Sequence, residues 1–549
     1  MEKARVIALG GVGEIGKNCT VVEQGDDMVL IDCGLSFPNE EMLGVDIVIP
    51  DFTYLIENKH KLRGIFLTHA HEDHVGALPY LLDKIKVPVY STEFTLALIR
   101  QKLEEKLPMR EVKLIPFAFG DIIQAGSLSV EPVRMTHSIP ENSGLAVRTE
   151  QGIIFFTGDF KLDFTPVDGK LTNLARLAEL GKEGVVALLS DCTNVERPGW
   201  GPSERNVSDA LRTVFQTAPG RVLLTTFASN IHRMQQVYDV AAETGRKVAV
   251  VGRRMEQNTD ICERMGFLKI PKGVRVSLDE MKRFPENQVA ILTTGSQGEP
   301  MSALVQMSKG EYGRLQIREG DTLIYSARPI PGNEAAIWRT INRLFRQGAT
   351  VLYDSKIPIH VSGHAYQEEL KMLINLMKPF YLAPVHGEPR HQFQYLEMAR
   401  DIGYPEHRLF TMDAGIPLEI TETAASQGTQ VACGRVLVDY SGTPGISDET
   451  LRDRFNLARD GLVAVTVAID PERGEVIGEP IATSRGFHGP VGALEQAVSV
   501  LNDMLLHDLR TEDLRDVDKV RHFVADTLRR TILKKTQLRP LVVPTIIEL

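Results

Sequence analysis

The stretch Gly64-Ile65-Phe66-Leu67-Thr68-His69-Ala70-His71-Glu72-Asp73-His74 decides how this chain is read. GIFLT has the apolar, β-branched character of a buried strand, and VGALPYLLDKI after the histidines has helical periodicity. Between them His69, His71, Asp73 and His74 offer four side chains of metal-ligating type within six residues. Imidazoles and carboxylates suit zinc and similar divalent ions. Alternate side chains of extended backbone share a face, so His69 and His71 point one way, and the turn into the helix frees Asp73 and His74 to point another. The segment can therefore offer two ligands to each of two neighbouring metals. A lone histidine at a strand end is usually structural, but H-x-H-x-D-H is too specific a spacing for that reading.

Two ligands per metal are too few, because catalytic zinc commonly keeps three or more protein ligands beside a water. Further candidates stand where apolar runs end, the places from which loops over a sheet present functional groups. They are His137 in VRMTHS, Asp159 in IIFFTGDF, Asp191 in VVALLSDCT, His364 in IHVSGHA and His386 in FYLAPVHGE. Asp32 ends a similar run, DMVLID. Gly11, Gly13 and Gly16 spell G-x-G-x-x-G, but a dinucleotide site needs a helix to begin at those glycines. NCTVVEQGDDMVLID follows instead, which alternates like strand, turn and strand, so the glycines are expected to shape a tight loop at the rim of a site.

The chain has 549 residues, enough for about three to four domains at ~100–200 residues each. Its hydrophobic content of 43% and charged content of 24% exclude disordered, collagen-like and coiled-coil classes. Five cysteines without C-x-x-C spacing exclude a disulfide scaffold and point to a reducing cytoplasm. The N-terminus lacks a signal-peptide pattern, and no apolar run approaches a membrane span. Residues 1–190 read as strands with few helices, as in packed sheets. From about residue 200 strands and helices alternate, as in a parallel α/β unit, before IHVSGHA and FYLAPVHGE and a final α/β region from about 447.

LGGVGEIGKN, LTHAHEDHVGALPYLL, THSIPENSG, FFTGDFKLD, SDCTNVERPGW, TFASNIHRMQQ, HVSGHAYQEELKMLINLMKPFYLAPVHGEPR and RPLVVPTIIEL run over nearly the whole chain. Together they resemble the metallo-β-lactamase superfamily, more closely its β-CASP branch of nucleic-acid nucleases, and within it the bacterial ribonuclease J family. The resemblance implies an α/β fold: a metallo-β-lactamase αββα sandwich (1–200 and 353–425) with an inserted parallel β-CASP domain (201–352). A linker (426–446) and a small C-terminal α/β domain (447–549) that helps dimerisation would follow. It implies one metal on His69, His71 and His137 and another on Asp73, His74 and His386, with Asp159 bridging. The metals would be Zn²⁺ or Mn²⁺, and Asp32 would orient a ligand histidine.

The implied chemistry is hydrolysis of an RNA phosphodiester by a hydroxide activated on the two metals. His364 would contact the scissile phosphate and assist the leaving group, and Asp191 would orient or handle protons nearby. A histidine at position 386 goes with the RNA-processing members of the branch. Ser229, Asn230 and His232 open a helix after a strand, a place for phosphate or for a plain helix cap. By resemblance they join Ser362, Gly363 and His364 in holding RNA phosphates and favouring a 5′-monophosphate end. The expected activity is 5′→3′ exonuclease with endonuclease cleavage of single-stranded RNA, in RNA maturation and decay. A homodimer or homotetramer in the cytoplasm is expected, with other RNA-decay proteins as further partners.

The alternatives are a superfamily hydrolase of a small ester, lactam or thioester, an inactive RNA-binding scaffold, and a DNA nuclease. The first has no need of the insertion, the second would show gaps among the ligands, and His386 opposes the third. His60, His391, His407, His488, His507 and His522 have no partners in the pattern and read as incidental; His360 reads as structural. Net charge is −10, yet residues 201–350 hold 21 Lys and Arg against 15 Asp and Glu. Arg253, Arg254, Lys269, Lys272 and Arg275 lie close in sequence there and are expected to grip an RNA backbone.

Overall fold

The computed structural model describes residues 2–39, 41–330, 332–353 and 357–549. The chain divides into two compact units, one of residues 1–39 and 47–436, the other of 40–46 and 437–549.

In the first unit an eight-stranded and a six-stranded sheet lie face to face. The larger sheet contains Ala4–Gly10, Cys19–Gln24, Asp27–Ile31 and Leu62–Phe66 in consecutive order. The smaller runs Tyr381–Val385, Val185–Asp191, Gly152–Phe156, Ser143–Thr149, Leu128–Arg134, Ile123–Ala125. Alternating residues of both sheets fill the layer between them: Val22, Val29 and Phe66 from one, Val130, Leu145, Ile154, Leu189 and Ala383 from the other. This is the expected consequence of strands whose alternate side chains are apolar. The opposite face of the six-stranded sheet is covered by helices Leu174–Glu183, Gln367–Met377 and Pro389–Asp401 through Leu177, Leu373 and Leu396.

The smaller sheet closes only after a long detour. Tyr381–Val385 joins Val185–Asp191 in parallel, with Asp191 opposite Val385. Between those strands the chain builds a five-stranded sheet, all parallel, in the order Lys247–Val251, Val289–Thr293, Val222–Thr225, Thr322–Tyr325, Thr350–Leu352. Its strands are buried on both faces, which is why VLLT, VAVV and VAILT are continuous apolar runs. Across the part read as a linker, 426–446, short strands Ala425–Gln427 and Arg435–Asp439 occupy some of the chain.

The second unit packs helices Ala493–His507 and Val517–Thr536 on one face of a three-stranded sheet. Leu462–Asp470 alternates buried and half-buried positions, so its other face is less covered. Ile481 and Ile547 on the flanking strands are 70% and 43% exposed. Among the described residues, no helix is long and apolar enough to cross a membrane. The five cysteines carry free thiols.

Candidate metal centre

Five strands end at one edge of the sandwich, and each delivers a side chain to the same point. Leu62–Phe66 leads to His69, Leu128–Arg134 to His137, Gly152–Phe156 to Asp159, Val185–Asp191 ends on Asp191, and Tyr381–Val385 leads to His386. The turn His71-Glu72-Asp73-His74 opens the short helix Glu72–Val75, and His71 has extended backbone just before it.

The ligand atoms fall into overlapping groups in which all lie within 4.8 Å of one another. One is His69, His71, His137 and Asp159; another is Asp73, His74, Asp159 and His386; a third joins Asp159, Asp191, His364 and His386. Asp159 is common to all. Its Oδ1 lies 3.1 Å from His74 Nε2 and 3.0 Å from His386 Nδ1, and its Oδ2 lies 3.6 Å from His137 Nε2 and 3.8 Å from His69 Nε2. His71 Nδ1 and His137 Nε2 face each other at 3.2 Å. His386 Nε2 is 3.2 Å from Asp73 Oδ2.

Several rings are held from behind. His137 Nδ1 is 2.8 Å from the Gly363 carbonyl, so Nδ1–H donates there and the Nε2 lone pair faces the cluster. His74 Nδ1 likewise donates to Asp32 Oδ2 at 2.7 Å. Asp32 also accepts from the Thr68 backbone N–H and hydroxyl, both at 2.8 Å. Asp32 and His386 have left-handed backbone, with φ of 58° and 54°, a conformation that aims each side chain inward at some steric cost.

The electrostatics call for cations. Burial pushes His71 down to about 4 and His137 to about 3. Burial also works on His74 and His386, but carboxylates led by Asp159 outweigh it and hold both well above the ordinary value. Conversely, burial would raise Asp159, yet the imidazoles of His386, His74 and His364 keep it well below the usual carboxylate range. Without metal, the imidazolium form must neutralise the carboxylates; bound cations would perform the same task. His69 Nε2 is buried with no hydrogen-bond partner, which leaves its lone pair free for a cation. The donor set thus fits two divalent metals.

His364 stands at the edge of this cluster. Its Nδ1 is 2.7 Å from Asp191 Oδ2, and its Nε2 lies 3.9 Å from Asp159 Oδ2. Asp191 and Asp159 raise its pKa against burial.

A cleft of about 1060 Å³ opens over the centre, walled by the sandwich on one side and the inserted sheet on the other. Ser229, Asn230, Ser362, Gly363 and His364 line it. Asn230 is also the N-cap of helix Ile231–Thr244, its side chain accepting from the Arg233 N–H. His232 is 6% exposed, and its Nε2 lies 3.7 Å from Asp168 Oδ2. Gly16 sits on the rim in a loop rather than at a helix start.

The basic residues close in sequence separate in space. Arg253 and Arg254 line the cleft and pair with Glu105, whereas Arg275 is tied to Asp260 and Glu263. Arg314 and Arg328, far away in sequence, line the cleft with them. Sequence reasoning also missed Thr68, Asn18 and Asn194. Asn18 Nδ2 lies 3.1 Å from His74 Nε2, and Asn194 Nδ2 donates to Ser362 Oγ at 2.6 Å and the His364 carbonyl at 3.1 Å. Hydroxyls and amides are too common in turns to stand out. His360 and His391, read as structural and incidental, line the cleft as well. His391 Nδ1 accepts from the Glu388 N–H, capping a helix.

Residues 12–188 match the metallo-β-lactamase superfamily, and residues 356–405 match the Zn-dependent metallo-hydrolase RNA specificity domain. A crystal structure of a protein of unknown function from Enterococcus faecalis V583 superposes with a TM-score of 0.55 at 18% identity, covering 76% of this chain and 100% of that one. Fold and site together define a metallo-β-lactamase-fold hydrolase with an inserted α/β domain. Residues 219–344 match the ribonuclease J β-CASP domain and residues 449–549 the ribonuclease J C-terminal domain. The chain is 42% identical to ribonuclease J of Thermus thermophilus, covering 100% of this chain and 96% of that protein. It is 38% identical to ribonuclease J2 of Bacillus subtilis, covering 100% and 99%. The chain belongs to the ribonuclease J family.

Proposed function

We propose that the protein hydrolyses phosphodiesters of single-stranded RNA at two divalent metals, by 5′→3′ exonuclease action that prefers a 5′-monophosphate and by endonuclease cleavage. The convergence of seven ligand-type side chains, with Asp159 within reach of both halves, carries this reading. His69, His71 and His137 would hold one cation and Asp73, His74 and His386 the other, with Asp159 shared. Such cations, Zn²⁺ or Mn²⁺, supply Lewis acidity and an activated water near neutral pH.

The chain's own residues do the rest. Asp32 and the Gly363 carbonyl fix the tautomers of His74 and His137. His364, whose Nδ1 is held by Asp191, would contact the scissile phosphate and hand a proton to the departing ribose oxygen. Asp73 would serve as a ligand and, 3.2 Å from His386 Nε2, would keep that half of the site anionic. Ser229, Asn230, Ser362 and Gly363 offer N–H and hydroxyl groups to phosphates along the cleft. His232, on the helix that Asn230 caps and beside Asp168, would join them in holding phosphate. Arginines on the inserted wall favour a polyanion.

Residues 1–200 and 353–425 would form the catalytic sandwich, 201–352 the inserted domain and 447–549 the C-terminal domain. The partly bare sheet of the second unit, with Ile481 and Ile547, supports pairing of two copies. Membership of the family supports roles in RNA maturation and decay in the cytoplasm.

Digestion of matched RNA and DNA oligonucleotides with 5′-monophosphate, triphosphate or hydroxyl ends tests this reading. RNA alone should be cut, and mononucleotides should accumulate fastest from the monophosphorylated strand. Intact RNA with Zn²⁺ or Mn²⁺ present would overturn it, and sedimentation of the same protein as a monomer would remove the dimer.

A further inference from the structure

The chain passes from the sandwich to the inserted domain near residues 201–206 and returns ahead of Ser362. Three buried charged side chains tie these crossings together. Arg233, on the inserted helix Ile231–Thr244, is 0% exposed. Its guanidinium donates to the Glu204 carboxylate on the outward crossing and to the Ile359 carbonyl on the return at 2.9 Å. It also donates to Ser326 Oγ, and that hydroxyl donates to the same Ile359 carbonyl at 2.6 Å. Lys161, from the sandwich, makes the mirror arrangement: Nζ donates to the Pro202 carbonyl at 2.7 Å and the Ser362 carbonyl at 3.3 Å. Glu369, also 0% exposed, accepts at 2.8 Å from the N–H groups of Leu162, Gly201 and Tyr366.

The return crossing runs straight into the site. Gly363 holds His137, and the next residue, His364, pairs with Asp191. Anything that fixes this crossing fixes His364 against the metal ligands. A planar guanidinium serves several acceptors in a set geometry, which a single ammonium does not.

We propose that Arg233 is a positioning residue: with Lys161 and Glu369 it locks the two crossings in one register and thereby places Ser362-Gly363-His364 over the metal centre. This rests on the two-metal ribonuclease reading above. None of the three touches the reacting atoms; their effect on chemistry runs through His364 more than through His137, whose loop is also pinned at Thr136 by the Thr172 hydroxyl and the Lys161 carbonyl.

The test uses full-length Arg233→Lys and Arg233→Met, each alone and combined with His364→Ala. Substrates are 5′-monophosphorylated RNA and bis(p-nitrophenyl) phosphate, whose leaving group departs without a proton and so reports on the metal centre apart from proton transfer by His364. Arg233→Lys should keep its metals and lose about 10–100-fold in kcat on RNA, the scale of an ångström-level misplacement, with a several-fold smaller loss on the diester. Added to His364→Ala it should cost less than about 3-fold more, because the two act through one group. Arg233→Lys keeps the charge and decides the matter should Arg233→Met fail to fold. A merely structural role would lower RNA and diester turnover equally, and would multiply fully with His364→Ala; either result overturns the proposal, as does an unimpaired Arg233→Lys. A wild type that hydrolyses the diester but leaves RNA intact overturns the ribonuclease reading and this proposal with it.

Discussion

Asp159 has one carboxylate and at least four imidazole neighbours, and the site's behaviour follows from that imbalance. In the metal-free protein His74 and His386 are held well above their ordinary pKa by carboxylates, which favours their protonated forms. His71 and His137, at about 4 and about 3, favour the neutral form. Cations need the neutral rings, so binding must expel the protons of the first pair. Metal affinity should therefore rise with pH through neutrality and fall in acid, with proton release visible as a buffer-dependent enthalpy in calorimetry. A pH-independent affinity would contradict this. His364 makes a different prediction. His364→Ala should retain its metals by elemental analysis yet lose about 10²–10⁴-fold in turnover, the range for a positioned proton donor. Loss of metal would make it a ligand. At this scale the sequence is most legible where residue type is itself the chemistry, as in H-x-H-x-D-H. It is least legible where an ordinary Thr68 or Asn18 acts by holding a ligand.

At the scale of the element, strand ends and the return segment bring remote residues together. The strands at 62–66, 152–156, 185–191 and 381–385 are readable because each is a short apolar run bounded by turn residues, the pattern of a buried strand. The closeness of residues 137 and 363 is not, because it depends on how a long insertion returns. Gly363 shows how tight that return is. A Cβ there would stand 2.5 Å from His137 Cε1 and 2.6 Å from its Nδ1, inside contact distance. Gly363→Ala should displace the His137 ring, lower occupancy of the first metal and cut RNA turnover by about 10-fold or more, as loss of a ligand's support does. Metal content and kcat measured together check this; full occupancy with unchanged kcat would show that the return segment gives way instead.

At the scale of the whole molecule, an overall charge of −10 conceals a cleft whose inserted wall is basic. The sequence disclosed the regional excess of charge but not its distribution. Arg253 begins a helix while Arg275 lies beyond its end, and only the folded chain shows that Arg314 and Arg328 complete the wall. RNA affinity should weaken with salt, with a log–log slope of about −0.7 per phosphate engaged. Replacing Arg253 and Arg254 with alanine should flatten that slope, measured by fluorescence anisotropy on an uncleavable strand. An unchanged slope would place the RNA elsewhere.

The convergent histidines and aspartates are proposed to hold the metals that hydrolyse RNA. Initial rates on 5′-monophosphorylated RNA, wild type against His71→Ala with Zn²⁺ or Mn²⁺ supplied, test this most directly. Removing one ligand should cost about 10³-fold or more in rate, since the metals supply several kcal/mol of charge stabilisation. A His71→Ala protein that cuts RNA at the wild-type rate would contradict the claim.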